Sequence, residues 1–90
     1  MTEIQDTPEA SFPLRAASPG ETVVIVSLQG GKSFHDRLLA MGLKPGARLE
    51  VIQNRGGGRV LVDHRGSRFF LGGGMAHKVQ VTLVQGEESQ

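Results

Sequence analysis

Short runs of β-branched and alternating apolar residues dominate the middle of this chain. Runs of about four to eight such residues, bounded by turn residues, are typical of strands. The pattern predicts about five short strands, within residues 22–28, 47–54, 59–63, 67–71 and 78–84. Between the third and fourth of these, Asp63-His64-Arg65-Gly66 supplies turn residues and a glycine for positive φ, which predicts a hairpin.

One segment has the apolar spacing of a helix. Phe34, Leu38 and Met41 recur at intervals that place them on one helical face, directed into the fold. Ser33 precedes them and has a carboxylate three residues later, a pattern typical of a helix N-cap. The sequence therefore predicts one short α-helix at about 33–41, with Ser33 in a structural role.

The end of this helix is marked more strongly than its start. Gly42 is expected to stop the helix in the left-handed conformation, with Leu43 making the apolar contact of a Schellman motif back onto Leu38. Pro45 and Gly46 then suit the two central positions of a type II turn, since proline presets φ and glycine accepts positive φ. Gly42, Pro45 and Gly46 are therefore predicted to be structural residues.

These elements predict a mainly β fold, a small and strongly bent barrel with glycines at its corners. Residues 1–11 and 85–90 are acidic and lack an apolar period, so we expect flexible tails around a domain at 12–84. A domain of this size has only a small hydrophobic core, and self-association would add stability.

Composition narrows the classes of function. The absence of cysteine excludes disulfides and thiol chemistry, and no apolar run approaches the roughly 20 residues of a membrane span. We therefore expect a cytoplasmic protein. All ten Lys and Arg lie in residues 13–84 with only four Asp and Glu, an excess of six positive charges. That excess favours an acidic partner, a nucleic acid or an anionic surface, although small soluble domains are often basic for solubility alone.

Catalysis finds little support in the sequence. Gly31-Lys32-Ser33 resembles the second half of a phosphate-binding P-loop, but the first glycine of that motif would have to stand where Val26 lies within a predicted strand. No nucleophile has a plausible base and orienting group, and no pair of carboxylates is brought together by the pattern. We expect a protein that is not an enzyme.

Two further kinds of site stay open. His35, His64 and His77 are the strongest candidate ligands for a transition metal, yet no two of them share a short spacing, so a metal would be weakly held at the surface. Gly56-Gly57-Gly58, with Arg55 and Arg59 on either side, would either cradle an anion or serve as a flexible loop. We expect no required cofactor.

The order of these signals resembles the FeoA family of ferrous iron transport proteins over about residues 13–84. The block from Leu38 to Gly46 is its most specific part. It is preceded by Leu14, Pro19-Gly20 and TVVIVSL and followed by LEVI and by the glycine and valine pattern of residues 59–81. One departure is Gly72–Ala76, where many members have a more charged, helix-like approach to the alanine. That departure puts the family's short closing helix in doubt here.

The resemblance implies an SH3-like barrel in the cytoplasm that assists FeoB, a membrane transporter of ferrous iron with a G-protein domain. It implies a non-enzymatic accessory protein that reaches the membrane only through this partner. The barrel also resembles the terminal barrel of metal-dependent repressors. A nucleic-acid-binding barrel and a metal-sensing module remain the alternatives, although we expect no nucleic acid partner.

A partner surface can be sketched from the helical wheel. Leu39 lies about 100° from Leu38 and is expected to be exposed, with Arg37 and Lys44 as charged neighbours in the sequence. Single exposed apolar residues are common and often have no function. Because the family implies a partner, we predict a contact surface formed by Arg37, Leu39, Met41 and Lys44.

Overall fold

Antiparallel strands form one bent sheet that closes around an apolar interior. The computed structural model describes residues 11–55 and 59–84, and within them the sheet has six strands in the order β1-β6-β2-β3-β4-β5. The elements are β1 (Phe12–Pro13), a 3₁₀ turn (Leu14–Ala16), β2 (Thr22–Leu28), α1 (Lys32–Ala40), β3 (Arg48–Asn54), β4 (Val60–His64), β5 (Ser67–Leu71), α2 (Gly73–Lys78) and β6 (Val79–Leu83). The predicted mainly β barrel is confirmed. The sequence-predicted tails lie outside the described residues, apart from Ser11.

The core follows the period of two residues that strands impose. In β2, β3, β4 and β6, buried valines, leucines and an isoleucine alternate with residues that are more exposed. Register shifts at Val26 and Ile52 bend the sheet, because a bulge adds local twist and curvature. Among the described residues, none that is polar or charged is fully buried, so apolar packing alone fills the interior.

Strand β1 was not among the predicted strands. It consists of Phe12 and Pro13, which pair with Val81 and Gln80 of β6 at one edge of the sheet. A two-residue strand has no readable alternation, and proline, which lacks an N–H, is accepted at such an edge. The prediction of about five strands was therefore one short.

Helix α1 begins one residue earlier than predicted, and the predicted cap is wrong. The N-cap is Gly31, and no side chain caps the helix there. Ser33 lies inside the helix as its second residue and is exposed, so its hydroxyl is past the capping position. The carboxylate expected to complete a capping box, that of Asp36, instead accepts a hydrogen bond from Nζ of Lys32 at 3.0 Å.

A second helix, α2, closes the barrel, which corrects the doubt raised by the glycines in this segment. Gly73 and Gly74 are poor helix formers, but Ala76 is fully buried and its N–H donates to the carbonyl of Gly72 at 2.8 Å. The helix packs against the 3₁₀ turn. Tertiary packing thus overrides the weak local propensity.

The predicted hairpin between β4 and β5 is confirmed. His64 and Ser67 form its last strand pair, which leaves Arg65 and Gly66 as a two-residue loop in which both have positive φ, +55° and +92°. This is the pattern of a type I′ turn.

In the described part of the chain, neither helix is long and apolar enough to cross a bilayer.

Candidate functional site

The end of α1 is built as the sequence predicted. Gly42 has φ of +84°, its N–H donates to the carbonyl of Leu39 at 2.9 Å, and the N–H of Leu43 donates to the carbonyl of Leu38 at 2.9 Å. These two bonds define a Schellman motif. Leu38 and Leu43 are both buried in the core, so the helix end is fixed by backbone bonds and by apolar packing.

The turn that follows α1, at residues 44–47, is held by two backbone hydrogen bonds. The N–H of Ala47 donates to the carbonyl of Lys44 at 2.9 Å across Pro45 and Gly46, and Gly46 has φ of +96°, which confirms the type II turn. The N–H of Gly46 also donates to the carbonyl of Ile25 in β2 at 2.8 Å. The segment from the helix to β3 is therefore tied to the sheet.

Leu39 is exposed at this fixed corner, as expected, with 49% of its surface accessible. Met41 is half-buried and packs against the core, and Lys44 is exposed in the turn. Arg37 is exposed as well, but residues two apart on a helix do not face each other, so it lies on a different flank from Leu39. We call Leu39, Met41 and Lys44 the helix-end surface.

Two of the three histidines, one on each helix, lie in different environments. His35 is half-buried on α1, and its Nε2 atom is shielded from solvent without a hydrogen-bond partner among the described residues. Its ring meets that of Phe34 edge-on, with 6.3 Å between centroids. His77 is exposed in the last turn of α2.

His64 belongs to the corner, whereas the sequence placed it in a hairpin turn and made it a weak candidate metal ligand. It is the last residue of β4, and its Nδ1 lies 3.1 Å from the carbonyl oxygen of Arg48. Because a carbonyl only accepts, Nδ1 carries the hydrogen in this contact, and Nε2 of a neutral ring holds the lone pair. A Cβ added to Gly42 would lie 3.5 Å from this Nε2 atom. The ring thus packs beside the helix end.

A cleft of about 530 Å³ opens between the α1–β3 turn and the β4–β5 turn. Its charged lining consists of Lys44, Arg48 and Arg65, with His64 beside them, and none of the described carboxylates lines it. We call this the basic cleft. A metal ion at Nε2 of His64 would face three positive charges, which weighs against a metal here. In residues 11–55 and 59–84, no three His, Cys, Asp or Glu side chains are placed to hold a metal together.

Sequence reasoning missed Arg48 and Arg65. Strand alternation places Arg48 outward and the hairpin places Arg65 at its tip, but only the β3–β4 register brings them to one cleft.

The anion cradle suggested at Gly56–Gly58 lies outside the described residues. Of its flanking arginines, Arg59 is placed over the exposed ring of Phe70, 4.9 Å from the centroid, a cation–π contact.

A bent antiparallel sheet with bulges, a helix between β2 and β3 and a short closing helix define a small SH3-like barrel. The FeoA domain model matches residues 12–83, well over half of the chain. The chain belongs to the FeoA family.

Similar proteins agree with this assignment. A Methanocaldococcus jannaschii protein provisionally named Fe(2+) transport protein A is 36% identical over 70 residues, 78% of this chain and 84% of the relative. The crystal structure of an iron uptake regulatory protein, FeoA, superposes with a TM-score of 0.74 at 32% identity and covers 82% of this chain and 97% of its own. A manganese-dependent transcriptional repressor shares the fold over 41% of its length, with a TM-score of 0.76 at 20% identity and 82% of this chain covered.

Proposed function

We propose that this protein is a non-enzymatic cytoplasmic accessory protein of ferrous iron uptake. It binds the cytoplasmic G-protein region of an FeoB-type transporter and modulates transport, and it reaches the membrane only through that partner. The proposal is supported by membership of the FeoA family and by relatives whose names refer to Fe(2+) transport and iron uptake. The observation that carries it is the exposed Leu39 on a rigidly terminated helix.

The geometry of the helix-end surface suits a protein contact. An apolar side chain that protrudes from a fixed backbone loses little conformational freedom when it is buried by a partner, so more of its apolar contact energy appears as affinity. Both bonds of the Schellman motif and the type II turn hold the backbone on the C-terminal side of Leu39. Lys44 adds a cation beyond the leucine, which suits the polar rim of an interface.

The charge balance also supports a site beneath a membrane. Residues 13–84 carry six more positive than negative charges. The cytoplasmic leaflet is anionic, and its potential attracts basic surfaces within about a Debye length, roughly 8 Å at physiological salt. A basic domain bound to the cytoplasmic part of a transporter would therefore be retained near that surface.

Co-purification with the transporter tests the proposal. We expect the wild-type protein to be retained by the detergent-solubilised FeoB-type transporter, and Leu39→Glu to bind at least about tenfold more weakly. The physical reason is that the substitution buries an unpaired carboxylate in an apolar contact.

Leu83→Glu is the matched control for this experiment. It makes the same change at a leucine of β6 that is 38% exposed, and it should bind like the wild type. Equal retention of all three proteins would remove Leu39 from the interface. Failure of the wild type itself to bind would count against the proposed function.

The two alternatives stay predictions with tests of their own. A nucleic-acid-binding barrel would bind DNA or RNA at low salt and lose affinity steeply as salt is raised, which fluorescence anisotropy measures. A metal-sensing module would give stoichiometric heat with ferrous or zinc ions in calorimetry. The only exposed aromatic ring among the four phenylalanines is that of Phe70, which offers little for base stacking.

A further inference from the structure

Three cationic side chains from separate parts of the chain converge on the basic cleft. Lys44 comes from the α1–β3 turn, Arg48 from the start of β3, and Arg65 from the β4–β5 turn. None of them forms a salt bridge with a carboxylate of the described residues, where the two exposed pairs are Lys32–Asp36 and Arg68–Asp63. Like charges brought together without counterions repel each other, so the cleft is set up to attract an anion.

Arg65 is an unusual residue for its position in the turn beside the cleft. It has φ of +55° and is the only described residue other than glycine with positive φ. The first central position of a type I′ turn ordinarily holds Asn, Asp or Gly, which adopt this conformation at lower cost. Strained residues concentrate at functional sites, where the strain places a side chain that the function needs. Here the strained residue places a guanidinium at the cleft.

We infer that the basic cleft binds the carboxylates of an acidic protein segment. The inference deepens the proposed function and rests on it, because it gives the chemistry of the partner that docks beside Leu39. The N–H of Gly42, in the cleft wall, donates to the carbonyl of Leu39, so cleft and leucine are parts of one corner. A segment with neighbouring acidic and apolar residues would occupy both.

The donors available in the cleft favour carboxylates over phosphate. Phosphate sites are commonly built from free backbone N–H groups. In this wall the N–H groups of Gly42, Gly46 and Ala47 already donate to backbone carbonyls, at 2.9, 2.8 and 2.9 Å. The arginine side chains supply donors that pair with carboxylate and phosphate alike, so the preference for carboxylates rests on these engaged N–H groups.

Among residues 11–55 and 59–84, the carboxylates that lie near these two arginines are on their far side from the basic cleft. A second, smaller cleft is lined by Arg48 and Arg65 together with Glu50 and Asp63. Asp63 is already engaged, because its Oδ1 accepts the N–H of Gly66 at 3.0 Å and its Oδ2 accepts Nε of Arg68 at 3.4 Å. Of the carboxylates in the described residues, Glu50 is then the competitor at the two arginines, and a segment with several carboxylates would outcompete it.

Titration of the labelled protein with a synthetic peptide tests the inference. The probe is acetylated Glu-Glu-Leu-Glu-Glu amide, followed through the backbone amide signals of Gly42 and Gly46 by NMR. We expect saturable shifts at these glycines that disappear at high salt, since exposed ionic contacts are screened. The same peptide with every Glu replaced by Gln should cause no shift, and inorganic phosphate should bind at least fivefold more weakly.

The Arg65→Asn variant tests the contribution of the Arg65 charge while keeping the hairpin conformation. Asparagine accepts the left-handed conformation, so the hairpin is retained while the guanidinium is lost, and binding of the Glu peptide should weaken at least fivefold. Arg15→Asn removes the same charge from the exposed 3₁₀ turn and should bind like the wild type.

Four results would overturn the inference: no saturable binding of the Glu peptide, undiminished binding by Arg65→Asn, equal binding of the Gln peptide, or tighter binding of phosphate or an oligonucleotide than of the Glu peptide. The peptide experiment needs no transporter. Peptide binding without retention by the transporter would refute the proposed function alone, and retention without peptide binding would refute the acidic segment alone.

Discussion

The two ends of helix α1 are held in opposite ways. At the C-terminal end, Gly42 and Leu43 donate to carbonyls of the last turn, and the next turn is bonded to β2. At the N-terminal end, Gly31 is the N-cap, and within the described part of the chain no side chain caps the first turn. The comparison teaches that the C-terminal end of the helix has capping bonds that the N-terminal end lacks, and the C-terminal end is also where Leu39 and the basic cleft lie.

A substitution at Gly42 is expected to have the largest effect on this arrangement. An added Cβ would lie 3.5 Å from Nε2 of His64, an ordinary contact, so space is available and φ of +84° is the obstacle. We expect Gly42→Ala to lower the free energy of unfolding by about 1–2 kcal/mol. Thermal unfolding followed by circular dichroism should show a melting temperature lower by roughly 4–8 °C for each kcal/mol.

Gly74→Ala is the matched control, since it makes the same chemical change inside α2. No atom lies within 4 Å of the added Cβ there, and its φ is not positive. Alanine is the better helix former, so this variant should gain up to about 1 kcal/mol. An unchanged melting temperature for Gly42→Ala would show that the left-handed helix end does not control stability.

The open N-terminus of α1 should accept an improvement. Gly31 has φ of −84° and ψ of 178°, the extended conformation of an N-cap, and an added Cβ there meets nothing within 4 Å. Gly31→Asp should raise the free energy of unfolding by about 0.3–1 kcal/mol, because a carboxylate both caps the first turn and faces the positive end of the helix dipole. Urea unfolding of the two proteins measures the gain.

The same variant at low pH supplies the control for Gly31→Asp. Protonation of the new carboxylate should remove most of the advantage, since a neutral acid no longer favours the dipole. A variant that is less stable than the wild type at neutral pH would contradict an uncapped N-terminus.

The smallest effect is expected at Ser33. Its side chain is exposed and lies within the helix, so Ser33→Ala should change the free energy of unfolding by no more than about 0.5 kcal/mol, in the stabilising direction, since alanine has the higher helix propensity. A loss of about 1 kcal/mol or more in urea unfolding would instead show that the hydroxyl caps the helix.

The features that the sequence predicted well depend on neighbouring residues. Gly42, Pro45 and Gly46 encode the helix end and the type II turn because each residue selects its own backbone conformation. Strand β1 and helix α2 escaped the prediction because their stability comes from distant contacts. Phe12 pairs with Val81 and α2 is held by the burial of Ala76, neither of which a local pattern reveals.

The candidate site divides in the same way. The exposure of Leu39 follows from helical spacing and was predicted. The basic cleft was not, since Arg48 and Arg65 meet only through the pairing of β3 with β4, which contains a register shift. The position of His64 could not be predicted from local sequence, because its Nδ1 bonds the carbonyl of Arg48, sixteen residues earlier in the chain.

Strand β6, the last element in the described chain, lies in the sheet between β1 and β2. During synthesis these two early strands leave the ribosome without the neighbour that joins them, and the open side of β2 has no hydrogen-bond partner until Val79–Leu83 emerges. Long-range pairings of this kind form late, because the closure of a long loop must come first. The barrel is therefore closed only after residues 79–83 have been synthesised, and a nascent chain halted before residue 79 would expose an unpaired strand edge to chaperones.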